Sequence, residues 1–193
     1  EGWNLKTNLP PSEKAVQQDA VRMPGCAHFN GALREALKGS DFDSGNDTGF
    51  VTGKPFMEGW IATNLQGGAY YPVNRGNYKT PAQMVQYVEA HDNLTLYDKL
   101  KVSLPWDDED FRMRRHLLAS SFVLLSQGIP FIHAGQEFMR TKNGLENSYN
   151  APDSINRMDW HRRSEMKQAV AVSYPRLTLP TLPLVLASVF TVQ

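Results

Sequence analysis

The sequence predicts an α/β chain, and three observations predict it. Short apolar runs recur at Cys26–Phe29, at Met84–Val88 and within "PFIHAG" from Pro130. Helical patterns alternate with them, which is the signature of strand–helix units. Each run also finishes in polar residues: Asn30, then His91-Asp92-Asn93, then Gln136-Glu137. Polar side chains gathered where strands end build a site in a (β/α)₈ barrel and at the switch point of a doubly wound sheet alike. The pattern alone does not choose between them.

Residues 1–24 are polar and proline-bearing, and "LPPSEKA" reads as a helix start or an ordered loop. After the first run, Asn30 is placed to cap a helix over Ala32–Lys38, and Gly39 is placed to end it. Residues 40–80 are rich in Gly, Asn and Asp, with one helix expected near Pro55–Leu65. The stretch "LPWDDEDFRMRRHLLASSFVLLSQGIP" carries the clearest helix. Asp107 or Asp108 caps it, acids fill its first turn, and Gly128 with Pro130 stops it.

Composition narrows the function classes. Of 193 residues, 41% are hydrophobic and 21% charged, enough for a packed core. The 20 basic and 20 acidic residues cancel, so no clustered positive field points to nucleic acid or to an anionic membrane as partner. Arg112, Arg114 and Arg115 sit beside acids and read as a solvated helix face. The one cysteine, Cys26, excludes an internal disulfide. That suits a reducing compartment or a secreted bacterial enzyme, so localisation stays open between export and cytoplasm. The five histidines lack metal-ligand spacing, so no metal site is expected. No glycine-rich phosphate loop follows any strand, which disfavours a doubly wound nucleotide-binding domain.

Four segments carry a resemblance. "EGW" at 1–3, "YVEAHDN" at 87–93, "GIPFIHAGQE" at 128–137 and "ENSYNAPDSINRMDW" at 146–160 stand in that order. Together they resemble the catalytic barrel of the α-amylase superfamily (glycoside hydrolase family 13), most closely its type I pullulanase branch. The resemblance covers roughly residues 1–170. It implies a partial (β/α)₈ TIM barrel, about strands five to eight, and an α-glucan substrate such as pullulan, amylopectin or glycogen.

The resemblance also implies roles. Glu1 is expected to be the acid/base of a retaining glycosidase. Such an enzyme sets two carboxylates about 5–5.5 Å apart across the scissile bond. Asp92 corresponds to the third carboxylate, which holds sugar hydroxyls and steadies the oxocarbenium-like state, and His91 to a hydrogen-bond donor on the same sugar. Taken alone, Asp92 reads as a helix cap and His91 as a core residue. Trp3 is placed to stack on a leaving-group sugar, and Asn93 and Tyr71 are further candidate contacts. Asp153 and Arg157 either hold a sugar on the glycone side or pair with each other at the surface. Gln136 and Glu137 are expected to brace the barrel mouth. No cofactor is expected, and calcium is left open.

Two features depart from the pattern. No string of the form GFRxDxxK, which carries the family's nucleophile, occurs in the chain. The chain is therefore expected to be the second half of a larger catalytic domain, missing its N-terminal half and inactive alone. From Leu177 to Gln193 no residue is charged, and Pro180 and Pro183 interrupt any helix. Residues 171–193 are expected to be an atypical tail produced by a frameshift near Ala171, and the stretch is too short and broken for a membrane span. The alternatives are an isoamylase- or neopullulanase-like hydrolase, or a non-catalytic carbohydrate-binding remnant.

Overall fold

A computed structural model of the chain describes residues 8–10, 13–14, 16–43, 47–67 and 78–166. The expected tail and the 170/171 boundary lie outside these residues. Among them are three short parallel strands, β1 (His28–Phe29), β2 (Met84–Gln86) and β3 (Ile129–Pro130). The sheet order is β1-β2-β3, so chain order and spatial order coincide. The register pairs His28 with Met84 and Phe29 with Val85, then Val85 with Ile129 and Gln86 with Pro130. Parallel neighbours need a crossover, and helices supply it.

The first crossover contains α1 (Gly31–Lys38) and α2 (Glu58–Leu65). Asn30 caps α1 as expected: its Oδ1 accepts from the Leu33 amide at 3.1 Å. Gly39 ends it at φ +88°, where a Cβ would sit 2.3 Å from the Asp47 carbonyl oxygen. On α1, Leu33, Ala36 and Leu37 share one face by their i, i+3, i+4 spacing, and all three are buried. The expected helix near Pro55 begins later, at Glu58. Phe56 takes a left-handed φ of +62°, so the helix cannot start before it.

Between β2 and β3 run α3 (Leu96–Ser103) and α4 (Glu109–Leu125). Thr95 caps α3 through Oγ1 to the Asp98 amide, and Asp108 caps α4 through Oδ1 to the Phe111 amide. The arginines of α4 are less solvated than the sequence suggests. Arg114 alone is an exposed pair with Asp110. Arg112 is buried, giving Nη2 to the Asp107 carbonyl, and Arg115 bridges Asp107 and the Val51 carbonyl. After β3 come two short helices, α5 (Asp153–Asn156) and α6 (Trp160–Glu165).

One apolar cluster joins these layers: Leu33, Leu37, Val51, Ile61, Val88, Leu96, Leu100, Ala119 and Val123. Each large aliphatic side chain buried there contributes about 1.5–3 kcal/mol relative to exposure. The strands themselves are shorter than the apolar runs. Cys26 is exposed and β1 only half-buried, because β1 ends the described sheet. The run from Pro130 keeps one further ladder bond, Phe131 N to Gln86 O at 2.8 Å. Beyond it, side chains rather than backbone join the two segments. Among the described residues no helix is long and apolar enough to cross a membrane.

Candidate functional site

The polar ends of β1 and β2 open onto one cleft of about 920 Å³, lined among others by Phe29, Tyr87, Ala90, Asp92 and Asn93. The first turn of α1 and the loop after it supply Arg34, Asp41 and Phe42, and Glu146 and Asn147 line another side. The cleft wall is built on a buried charge cluster. Arg34 gives Nη1 to the Tyr87 hydroxyl at 2.7 Å and sets Nε 3.0 Å from Asp41 Oδ2. Lys38 approaches Asp41 Oδ1 at 2.6 Å. Burial works against the Arg34 charge, but Asp41, Tyr87 and Glu35 outweigh it and hold its pKa up. For Lys38 burial wins over Asp41, and its pKa is pulled below the ordinary lysine value.

The Arg34 guanidinium also lies over the Tyr87 ring at 5.5 Å and the Phe42 ring at 5.9 Å. Phe29, Tyr87 and Phe131 meet edge to face, with centroids 4.8, 5.4 and 6.5 Å apart in their three pairings. Phe42 is 77% exposed. A cleft with an open aromatic face beside carboxylates and amides suits a polyhydroxylated ring ligand with apolar faces.

The segment after β2 presents Asp92 outward. His91 Nε2 lies 3.3 Å from Asp92 Oδ1, with side chains 83% and 52% exposed. Neither stand-alone reading survives: Thr95, not Asp92, caps α3, and His91 is not in the core. Asn93 adopts φ +58°, the left-handed region that asparagine tolerates better than most residues. Behind the turn, Glu89 is buried and accepts from His133 Nδ1 at 2.9 Å and from the Leu96 amide.

Comparison with known proteins matches this architecture. The Bacillus subtilis (strain 168) pullulanase is 42% identical over 170 residues, which is 88% of this chain and 24% of that protein. The solved pullulanase of Paenibacillus barengoltzii, in complex with maltohexaose and α-cyclodextrin, superposes with a TM-score of 0.84 at 42% identity. This chain is a homologue of the pullulanases. The Paenibacillus match covers 91% of this chain and 27% of that one. Pullulanase 1 of the Arabidopsis thaliana chloroplast is 47% identical over 205 residues, 83% of this chain and 21% of its own length. The chain thus spans about a quarter of the pullulanases it matches. No family model matches it.

Within this pullulanase homologue the structure brings Asp92 and Asn93 into the cleft and sets His91 against Asp92. Asp153 and Arg157 are exposed at the two ends of α5, outside the cleft lining and without an ion pair to each other among the described residues. Glu1, Trp3 and Tyr71 lie outside the described residues. Gln136 is fully buried, accepting from the His133 amide and donating to Ser120 Oγ, and Glu137 receives the Gly135 amide. Among the described residues no group of three or more His, Cys, Asp or Glu is placed to hold a metal ion.

Arg34, Asp41, Phe42 and Tyr87 escape sequence reasoning. The available signal was faint: a single aromatic flanked by aspartates in "SDFDSG", straight after a helix-ending glycine.

Proposed function

We propose that this chain forms part of the active site of a debranching glycoside hydrolase, a pullulanase-like enzyme that cleaves α-1,6-glucosidic bonds in pullulan, starch or glycogen with retention. The observation that carries the reading is an exposed Asp92 carboxylate, with Asn93, on a cleft at the polar ends of successive parallel strands. Strands added in chain order with a helix after each are read as the sixth, seventh and eighth of a (β/α)₈ TIM barrel, Glu1 closing the fifth. Homology to pullulanases, one of them solved with maltohexaose, supports an α-glucan as substrate.

In this reading Glu1 protonates the leaving oxygen, then takes a proton from the incoming water. Asp92 holds sugar hydroxyls and favours the positive charge that develops at the anomeric carbon. His91, 3.3 Å from it, donates to the same sugar. Trp3 and Phe42 offer faces for stacking, and Asn93, Tyr71, Asp153 and Arg157 extend the contacts outward. The nucleophilic aspartate comes from sequence outside these 193 residues, so the chain alone is inactive.

The test is to assay the full-length gene product on pullulan and on amylose, with Glu1→Gln and Asp92→Asn alongside. Cleavage of pullulan but not amylose is expected, with both variants losing about 10³-fold or more in kcat. Failure of the full-length product to cleave pullulan overturns the reading, as does an Asp92→Asn variant of undiminished rate.

A further inference from the structure

Lys142 is 1% exposed, an uncommon place for a lysine. Its Nζ donates to two main-chain oxygens, His91 O at 2.8 Å and Glu146 O at 3.0 Å. The first belongs to the residue before Asp92, and the second to a residue that lines the cleft on another side. Its own amide donates to Asp98 Oδ2 at 2.7 Å, and Asp98 Oδ1 accepts from Thr141 Oγ1. Asp98 is 2% exposed on α3. The lysine is therefore rooted in the core and reaches outward to two separate loops.

Among the described residues this ammonium makes no ion pair. Burying a cation is unfavourable unless its hydrogen bonds are made, and burial pulls the Lys142 pKa down against the opposing pull of Asp98 and Glu89. Here the bonds go to carbonyls of the two loops that carry the lining residues Asp92 and Glu146. The same turn is held at its far end, where Lys38 Nζ lies 3.4 Å from Leu94 O. Between the two lysines Asn93 keeps its left-handed φ of +58°, a conformation that persists where its surroundings over-determine it.

We infer that Lys142 is a positioning residue, which locks the turn carrying Asp92 to the segment carrying Glu146 and Asn147 so that both cleft walls are held as one body. The lock is a property of the fold; its effect on turnover rests on the function proposed above.

Two readouts on the full-length protein separate the two. Amide hydrogen exchange is compared between the wild type, Lys142→Met and Lys142→Gln. Exchange at residues 91–94 and 146–148 should accelerate together by about ten-fold or more, the opening expected when a charge-assisted hydrogen bond is lost, while α4 stays unchanged. Acceleration of α4 as well, or failure of both variants to fold, makes Lys142 a general core residue and overturns the inference. So does acceleration of only one segment or of neither. On pullulan, kcat should fall about ten-fold with KM within about two-fold, and Lys142→Arg, which retains the charge, should recover part of the rate. Unchanged kcat despite faster exchange overturns the positioning role. If the wild type cleaves no α-glucan, the proposed function fails while the exchange result still decides the lock.

Discussion

Glu89 Oε1 accepts a hydrogen bond from His133 Nδ1 at 2.9 Å, tying the segment after β2 to the segment after β3 where their backbones no longer pair. Arg140 Nη1 lies 3.4 Å from His133 Nε2, which leaves Nδ1 as the protonated nitrogen. The other Glu89 oxygen takes the Leu96 amide at the start of α3. Burial pushes the Glu89 carboxyl up, but the His133 hydrogen bond, the His116 and His133 rings and the Leu96 amide together hold it below the usual carboxylate range. A depressed folded value gives a stabilising contribution that is complete above the unfolded value of about 4.3 and fades as pH falls through the folded one. Glu89→Gln should lose roughly 3 kcal/mol at neutral pH and should show a shallower loss between about pH 5 and pH 3. Urea unfolding at several pH values measures both. Parallel acid limbs in the two proteins would show that Glu89 carries no linkage.

His116 gives a second pH dependence from a different cause. It is 1% exposed. Its Nε2 lies 2.7 Å from Gln136 O, so Nε2–H donates, while Nδ1 has no partner among the described residues. Burial holds its protonation below the ordinary histidine value despite the pull of Glu89. The unfolded chain therefore takes up this proton more readily. Stability is complete above the unfolded value of about 6.5 and declines as pH falls toward the folded value. His116→Gln keeps a donor for Gln136 but cannot titrate. The wild type should lose up to about 1.4 kcal/mol per pH unit just below about pH 6 from this group, and the variant should not. Thermal unfolding at matched ionic strength checks it, and an identical pH profile in the variant would remove His116 from the account.

What the sequence made legible was local. Asn30 and Asp108 cap their helices through bonds to residues three positions on, and such short-range chemistry is written in neighbouring letters. The apolar runs marked where strands lie but not how much of each would pair, since that depends on partners 40 to 60 positions away. The helix start at Glu58 was missed because the left-handed Phe56 has no signal in its residue type. Asp92 and Asn93 were legible through a motif rather than through any pattern of their own. Arg34 and Tyr87, 53 positions apart, meet only once β1 pairs with β2 and sets the start of α1 beside the end of that strand. Lys38 and Lys142 were illegible for a general reason: an isolated lysine reads as surface, and nothing near it tells which carbonyls will converge on its ammonium.

Asn30 carries two functions that one substitution separates. Its Oδ1 caps α1, while its Nδ2 donates to Asn64 Oδ1 at 2.9 Å and to Gln86 Oε1 at 2.8 Å in the interior. Aspartate is as good a helix cap as asparagine, yet here a carboxylate would turn a lone pair toward two carbonyl oxygens. Asn30→Asp should therefore destabilise by roughly 3 kcal/mol, at least as much as Asn30→Ala, which loses the cap as well. Denaturant titration of the two variants at neutral pH decides between cap and network. A near-wild-type Asn30→Asp would mean that the buried amides rearrange freely.

Phe42 offers the opposite case, a residue whose removal should leave stability alone. Its ring is 77% exposed on the cleft, in loose contact with the Arg34 guanidinium at 5.9 Å. Little apolar surface is withdrawn from water there, so Phe42→Ala should change unfolding free energy by no more than about 0.5 kcal/mol. If the ring stacks on a sugar as proposed, KM for pullulan should rise about five-fold, equivalent to about 1 kcal/mol, with kcat nearly constant. Phe42→Trp, which keeps a stacking face, should retain a KM close to that of the wild type. Steady-state kinetics of the full-length protein give both constants. Because stability and binding are read separately, a rise in KM without a fall in melting temperature isolates the stacking contact, whereas an unchanged KM would leave Phe42 a bystander at the cleft's edge.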